Sequence, residues 1–217
     1  MSAAETATLW LHIGAGFLAL GGGLGALATE KGARRHRQFG RGFLYAMAVV
    51  AATSLALLAL DPTVWRVFLG LVAVFSVYFA FSGYRALSRK RPTDKATRVD
   101  WAAVGLYGAA SAGLVGMAVW FYLRGLGFAT VMGVFGGIGL VFAAVDVRQF
   151  RRGPESGDWV GQHVVRMGAG YIAAVSAFSA VNFLFLPPVL RWLWPTLLGT
   201  PLLFYLARVY GAKFAPG

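Results

Sequence analysis

An all-α bundle of seven helices threading a lipid bilayer is the fold class this sequence predicts, and three observations predict it. Hydrophobic residues are 58% and charged residues 13% of the 217, and the mean hydropathy of +0.65 implies more apolar surface than a soluble domain of that size can hide. Seven segments reach the roughly 20 apolar residues that cross about 30 Å of hydrocarbon. The charged residues lie mostly between those segments, as the cost of burying them in lipid requires.

The first segment is Thr8–Thr29, and no Lys or Arg precedes Lys31. A secretory signal starts with a basic stretch, so a retained helix is expected. Phe43–Leu60, Trp65–Leu87, Trp101–Leu123, Phe128–Val147, His163–Leu186 and Val189–Tyr210 follow. The connections are short, and a single transmembrane domain, 1–217, fills the chain. Trp65, Trp101, Trp159, Trp192 and Trp194 fall near segment ends, where an amphipathic ring sits at the head-group level. There is no cysteine, which excludes disulfides and thiolate-held metal or iron–sulfur centres.

A net charge of +12 would point to nucleic acid in a soluble protein. Its placement argues otherwise. Of the 20 Lys and Arg, only Arg66, Arg124 and Arg191 lie in the connections on one side of the bilayer; the other 17 lie on the opposite side. Basic residues stay cytoplasmic, so the division predicts the N-terminus outside and the C-terminus inside. The expected partners are the bilayer and anionic lipid head groups at the cytoplasmic face, not nucleic acid. Assembly as a homo-oligomer or as a membrane-complex subunit is left open by the residues.

Internal similarity suggests a doubled unit. Gly22-Gly23-Leu24-Gly25 in the first segment matches Gly136-Gly137-Ile138-Gly139 in the fifth, each followed by an acid, Glu30 or Asp146. A basic loop and a histidine come next: His36 to Gly40-Arg41-Gly42-Phe43, against His163 to Gly168-Ala169-Gly170-Tyr171. The Gly-x-Gly-aromatic pieces are 128 residues apart and the histidines 127. The expected plan is a 3+1+3 parallel repeat, with units 8–87 and 128–210 and helix 101–123 as linker. Gly21-x-x-x-Gly25 and Gly133-x-x-x-Gly137 read as helix-packing motifs, with small residues one turn apart letting another helix approach.

Ionisable side chains within spans are the functional candidates. His12, Asp61 and Asn182 lie in the outer half, as candidates for binding or proton relay. At the inner face His36, His163, Asp146 and Glu30 are candidate ligands for a metal or haem. From His12 to the inner boundary is about 17 residues, or roughly 25 Å of helix, so one site holding all three histidines is not expected. Two imidazoles facing across the bundle would ligate a divalent metal or a haem b from both sides. In the bland reading each caps the last carbonyls of a neighbouring helix. Ser111, Ser176 and Ser179 have no base at their depth and read as packing residues.

Several motifs together resemble a family of bacterial seven-helix inner-membrane proteins without an assigned activity: Leu11-His12-Ile13-Gly14, His36-Arg37 with Gly40-Arg41, and Ser82-Gly83-Tyr84-Arg85. Asp100-Trp101, the stretch from His163 to Asn182, and Trp194-Pro195-Thr196 with Gly199-Thr200-Pro201 extend the likeness over nearly the whole chain. It implies a polytopic bacterial membrane protein. The layout is also similar to that of small sugar facilitators, without their Pro-Gln dipeptide. The first functional reading is a transporter or permease-like carrier of a small solute. The alternatives are a haem- or quinone-binding membrane oxidoreductase or accessory subunit of an electron-transfer complex, and a metal-dependent membrane hydrolase. Whether the protein is an enzyme is open at this point.

Overall fold

Among the described residues, six helices are long and apolar enough to cross a membrane. The computed structural model describes residues 1–91, 93–153 and 158–213, and among them there are seven helices and no strand. These are α1 (Ala3–Ala28), α2 (Arg34–Leu60), α3 (Val64–Ala86), α4 (Arg98–Leu123), α5 (Ala129–Arg152), α6 (Asp158–Asn182) and α7 (Pro188–Lys213). Large side chains such as Leu18 (71% exposed), Leu106 (62%) and Leu198 (69%) cover the outside of the bundle. That surface suits hydrocarbon and not water, consistent with an integral membrane protein.

The helices run past the apolar segments at their basic ends: α2 begins at Arg34 and α5 continues to Arg152. Backbone groups in the head-group layer still favour helix, while the side chains there no longer need to be apolar. Start signals are local. Ser2 and Glu5 form a capping box, with Glu5 N–H donating to Ser2 Oγ (3.2 Å) and Ser2 N–H to Glu5 Oε2 (2.7 Å), and Thr97 with Asp100 forms another. α6 stops at Asn182, short of the expected Leu186, because two prolines follow at 187 and 188. α7 is set apart from the other six by Pro195 and Pro201 within it, each of which removes one rung of its hydrogen-bond ladder.

α3 is the central helix. Twelve of its residues are buried, and it packs on α2, α4 and α6 while touching α5. Around it stand three antiparallel hairpins, α1/α2, α4/α5 and α6/α7. Phe68, Val72, Phe75, Tyr78 and Phe79 of α3 are the spine of the main apolar core. The pairing does not follow the 3+1+3 division. α1 lies along α2, but α5 makes no close backbone approach to α6 among the described residues. Phe128, at the start of α5, holds a left-handed conformation (φ 89°), clamped by the rings of Trp65 (5.2 Å), Phe68 (5.2 Å) and Trp192 (5.8 Å).

Glycines do set close approach, but of the four expected helix-packing positions only Gly25 is tightly packed. Gly21 and Gly137 face open space and Gly133 makes only an ordinary contact with Ala118. A Cβ on Gly22 would crowd the backbone of Phe43, and one on Gly25 the Phe39 ring. On α5, a Cβ at Gly136 would sit 2.8 Å from Val115 N and 2.9 Å from Ser111 O, and one at Gly139 would strike the Ser111 side chain. A Cβ on Gly23 would strike the Tyr171 ring, so the close positions are Gly22, Gly23 and Gly25 on α1 and Gly136 and Gly139 on α5. Gly136→Ala is expected to lower stability by about 1–3 kcal/mol, since α4 backbone cannot give way, while Gly137→Ala leaves it unchanged or raises it; thermal unfolding in detergent checks both.

Candidate functional site

The end of the bundle where α1 and α3 finish and α2, α4 and α6 begin collects most of the polar side chains. A helix that ends leaves its last four carbonyls without internal donors, and here histidines supply two of the missing donors. His36, in the first turn of α2, places Nδ1 3.0 Å from the Ala26 carbonyl of α1. His163, in the second turn of α6, places Nδ1 2.9 Å from the Gly83 carbonyl of α3. A carbonyl oxygen has no hydrogen to give, so each Nδ1 carries the proton and donates, and in the neutral ring Nε2 bears the lone pair. Glycine at 83 is needed for this: a Cβ there would lie 2.8 Å from the Met167 side chain and 2.9 Å from its backbone nitrogen. The two imidazoles meet edge to face, ring centres 6.3 Å apart and planes at 73°.

Asp146 does not join them. Its carboxylate, 3% exposed as a residue, accepts from the Tyr78 hydroxyl of α3 at 2.5 Å and pairs with the Arg166 guanidinium of α6. Arg166 stacks over Phe142 at 4.4 Å, and Tyr107 of α4 stacks on Tyr78 with ring centres 4.0 Å apart. This knot ties α3, α5 and α6 through side chains where α5 and α6 backbones stay apart. A second knot lies nearby. Asp100 takes a two-pronged contact from Arg85 (Nε and Nη2, both 2.9 Å) and an ion pair from Arg89 at 3.3 Å, joining α3 to the start of α4.

Glu30, the other carboxylate expected at this face, is exposed and makes no ion pair among the described residues. No three of His, Asp or Glu converge among the described residues. The described residues therefore do not gather both histidines and both carboxylates into one divalent-metal centre: Asp146 has both oxygens engaged, and Glu30 is exposed.

The three candidates of the other half also go separate ways. His12 Nδ1 lies 3.0 Å from Thr53 Oγ1, whose own hydrogen goes to the Val49 carbonyl at 2.7 Å, so His12 donates and fastens α1 to α2. Asp61 ends α2 and pairs at 3.3 Å with Arg66, which also holds Glu5 at 2.9 Å. Asn182 donates to the Phe178 carbonyl of its own helix at 2.8 Å. Each has its own partner, and no common site forms among them.

Sequence reasoning missed Tyr78, Arg85, Arg89, Tyr107 and Arg166. One signal was present: Tyr78, Ser82, Arg85 and Arg89 recur at four- and three-residue spacing along an otherwise apolar stretch, a polar stripe on one face of a helix. No family model matches the chain, and neither a curated protein nor a solved structure is similar to it.

Tyr78 and Tyr107 offer a paired test. Tyr78→Phe removes a hydrogen bond to a buried charge and is expected to cost about 1.5–3 kcal/mol. Tyr107→Phe removes a buried hydroxyl that has no partner among the described residues and is expected to be neutral or stabilising. Unfolding curves of the two variants in the same detergent should separate accordingly; equal losses would contradict the bonding described.

Proposed function

We propose that this is a multi-pass membrane protein of electron transfer in which His36 and His163 are the two axial ligands of a b-type haem. The observation that supports it is the convergence of two imidazoles whose Nδ1–H groups are both spent on carbonyls, leaving two Nε2 lone pairs. Metal-binding histidines are held this way, with the far ring nitrogen donating to a carbonyl. The two rings that would hold the haem lie with centres 6.3 Å apart. Ligand count favours haem over a bare ion. A haem brings four equatorial nitrogens and needs only two axial ligands, whereas a divalent ion at this pair would lack ligands among the described residues.

The topology adopted with this reading is seven spans, N-terminus outside, with α7 crossing despite its prolines. It rests on the 17 basic residues of one side, and puts the histidine pair at the cytoplasmic face among anionic head groups. The motif resemblance to bacterial inner-membrane proteins fits the same placement. The carrier reading has less support, since it relied on two three-helix units moving about a central path, and the centre of the bundle is the aromatic spine of α3.

The test is an absorption spectrum of the full-length protein purified from cells supplied with haem. A Soret band is expected, and His36→Ala and His163→Ala should each remove the low-spin spectrum, while His12→Ala keeps it. A colourless preparation, or a spectrum that survives both replacements, would overturn the assignment.

A further inference from the structure

The gap between α5 and α6 holds a second feature, on other residues than the histidine pair. Bulky Phe135, Ile138 and Phe142 of α5 face small Ala169 and Ala173 of α6, and the space they leave is a cavity of about 120 Å³, partly open to the surface. Phe142, over which the Arg166 guanidinium stacks at 4.4 Å, is one of its lining residues. Phe135, another, meets Trp192 of α7 at 6.0 Å. Phe204, also in the lining, is 51% exposed on an apolar face of the bundle. An apolar cavity of about 150 Å³ accepts a benzene-sized ring, so this one is the size of a ring and not of a whole lipid.

The walls say which ring. Phe75, Phe79, Phe135 and Phe142 line it, and none of the lining side chains carries a charge. Two hydroxyls, Thr196 and Thr200, stand one turn apart on its α7 side. Several hydroxyls in the other helices bond back to the preceding turn, as Thr53 does to Val49 (2.7 Å), Ser76 to Val72 (2.7 Å) and Ser111 to Tyr107 (2.8 Å), whereas that of Ser176 in α6 has no partner among the described residues. Those of Thr196 and Thr200 make no hydrogen bond among the described residues. The site is thus a neutral, flat-walled slot with two spare donors and an exit into hydrocarbon.

We infer that the slot binds the ring of a lipid-soluble para-benzoquinone, a ring carbonyl accepting from Thr196 or Thr200 while the hydrocarbon tail leaves past Phe204 into the bilayer. A charged head group would find no counter-charge on these walls. A bare hydrocarbon chain would leave both hydroxyls unused. This inference stands on different residues from the haem assignment and holds whether or not haem is bound.

Calorimetric titration of the detergent-solubilised full-length protein with a benzoquinone bearing a decyl tail tests it, with decylbenzene as the probe that keeps ring and tail but lacks the carbonyls. Saturable binding of the quinone is expected, with decylbenzene at least roughly tenfold weaker. The double variant Thr196→Val with Thr200→Val should lose a similar factor at unchanged melting temperature, and Ala169→Leu, which fills the slot, should abolish binding. His163→Ala should leave quinone affinity unaltered, which separates this site from the haem pair. Equal affinity for decylbenzene, or no loss in the double valine variant, would overturn the quinone assignment in favour of an unspecific hydrocarbon site, and failure of the quinone to bind at all would overturn it outright.

Discussion

A charge placed among apolar helices has to find its partner inside the bundle, and the pairing of Asp146 with Arg166 is the interaction on which the rest of this structure depends. It joins α5 to α6, whose backbones do not approach, and through the Tyr78 hydroxyl it fastens both to the central helix α3. Arg166 lies one turn from His163 on α6. Fixing the rotation of α6 in this way also fixes where His163 points, and so its bond to the Gly83 carbonyl at 2.9 Å. The same guanidinium stacks over Phe142, which lines the space that α5 and α6 leave between them. One buried ion pair thus orients the histidine site and adjoins the neighbouring slot.

Helix ends supply the other organising rule. Carbonyls that finish α1 and α3 are capped by the imidazoles that open α2 and α6, and Lys31 gives further donors to Ala26 and Leu27. The helix itself offers no donor to those carbonyls, so side chains that open the next helices supply it. This capping has a chemical by-product: in the neutral ring, a histidine that caps through Nδ1 is left with an Nε2 lone pair. Two such caps side by side are what the haem proposal rests on.

Much of the fold was legible because bilayer thickness dictates element length. The long apolar segments, their order and the basic ends can be read from hydropathy and charge, with helix limits shifted where turns continue past the apolar stretch, as at Arg34 and Arg152, and where α6 stops early at Asn182 ahead of two prolines. The approach of His36 and His163 was also legible, although for a different reason from the one that suggested it. Internal similarity pointed to a pseudo-symmetric pair, whereas the chain brings them together by gathering the ends of four helices. Depth along a helix can be counted from sequence, but the direction a residue faces depends on which neighbour it packs against. His12, Asp61 and Asn182 share a depth and still turn to separate partners. The same limit explains the glycines: in a run such as Gly21-Gly22-Gly23-x-Gly25 several registers look alike, and only the position of α2 and of the Tyr171 ring selects Gly22, Gly23 and Gly25.

The buried ion pair can be measured directly. Asp146→Asn, Arg166→Met and the double variant, compared by unfolding in one detergent, form a double-mutant cycle. If the pair is the joint described, each single change strands a partner in an apolar interior and costs about 3–5 kcal/mol, while the double change costs less than the two singles added together. Losses that simply add would contradict the account, for they would mean that Asp146 and Arg166 do not depend on one another.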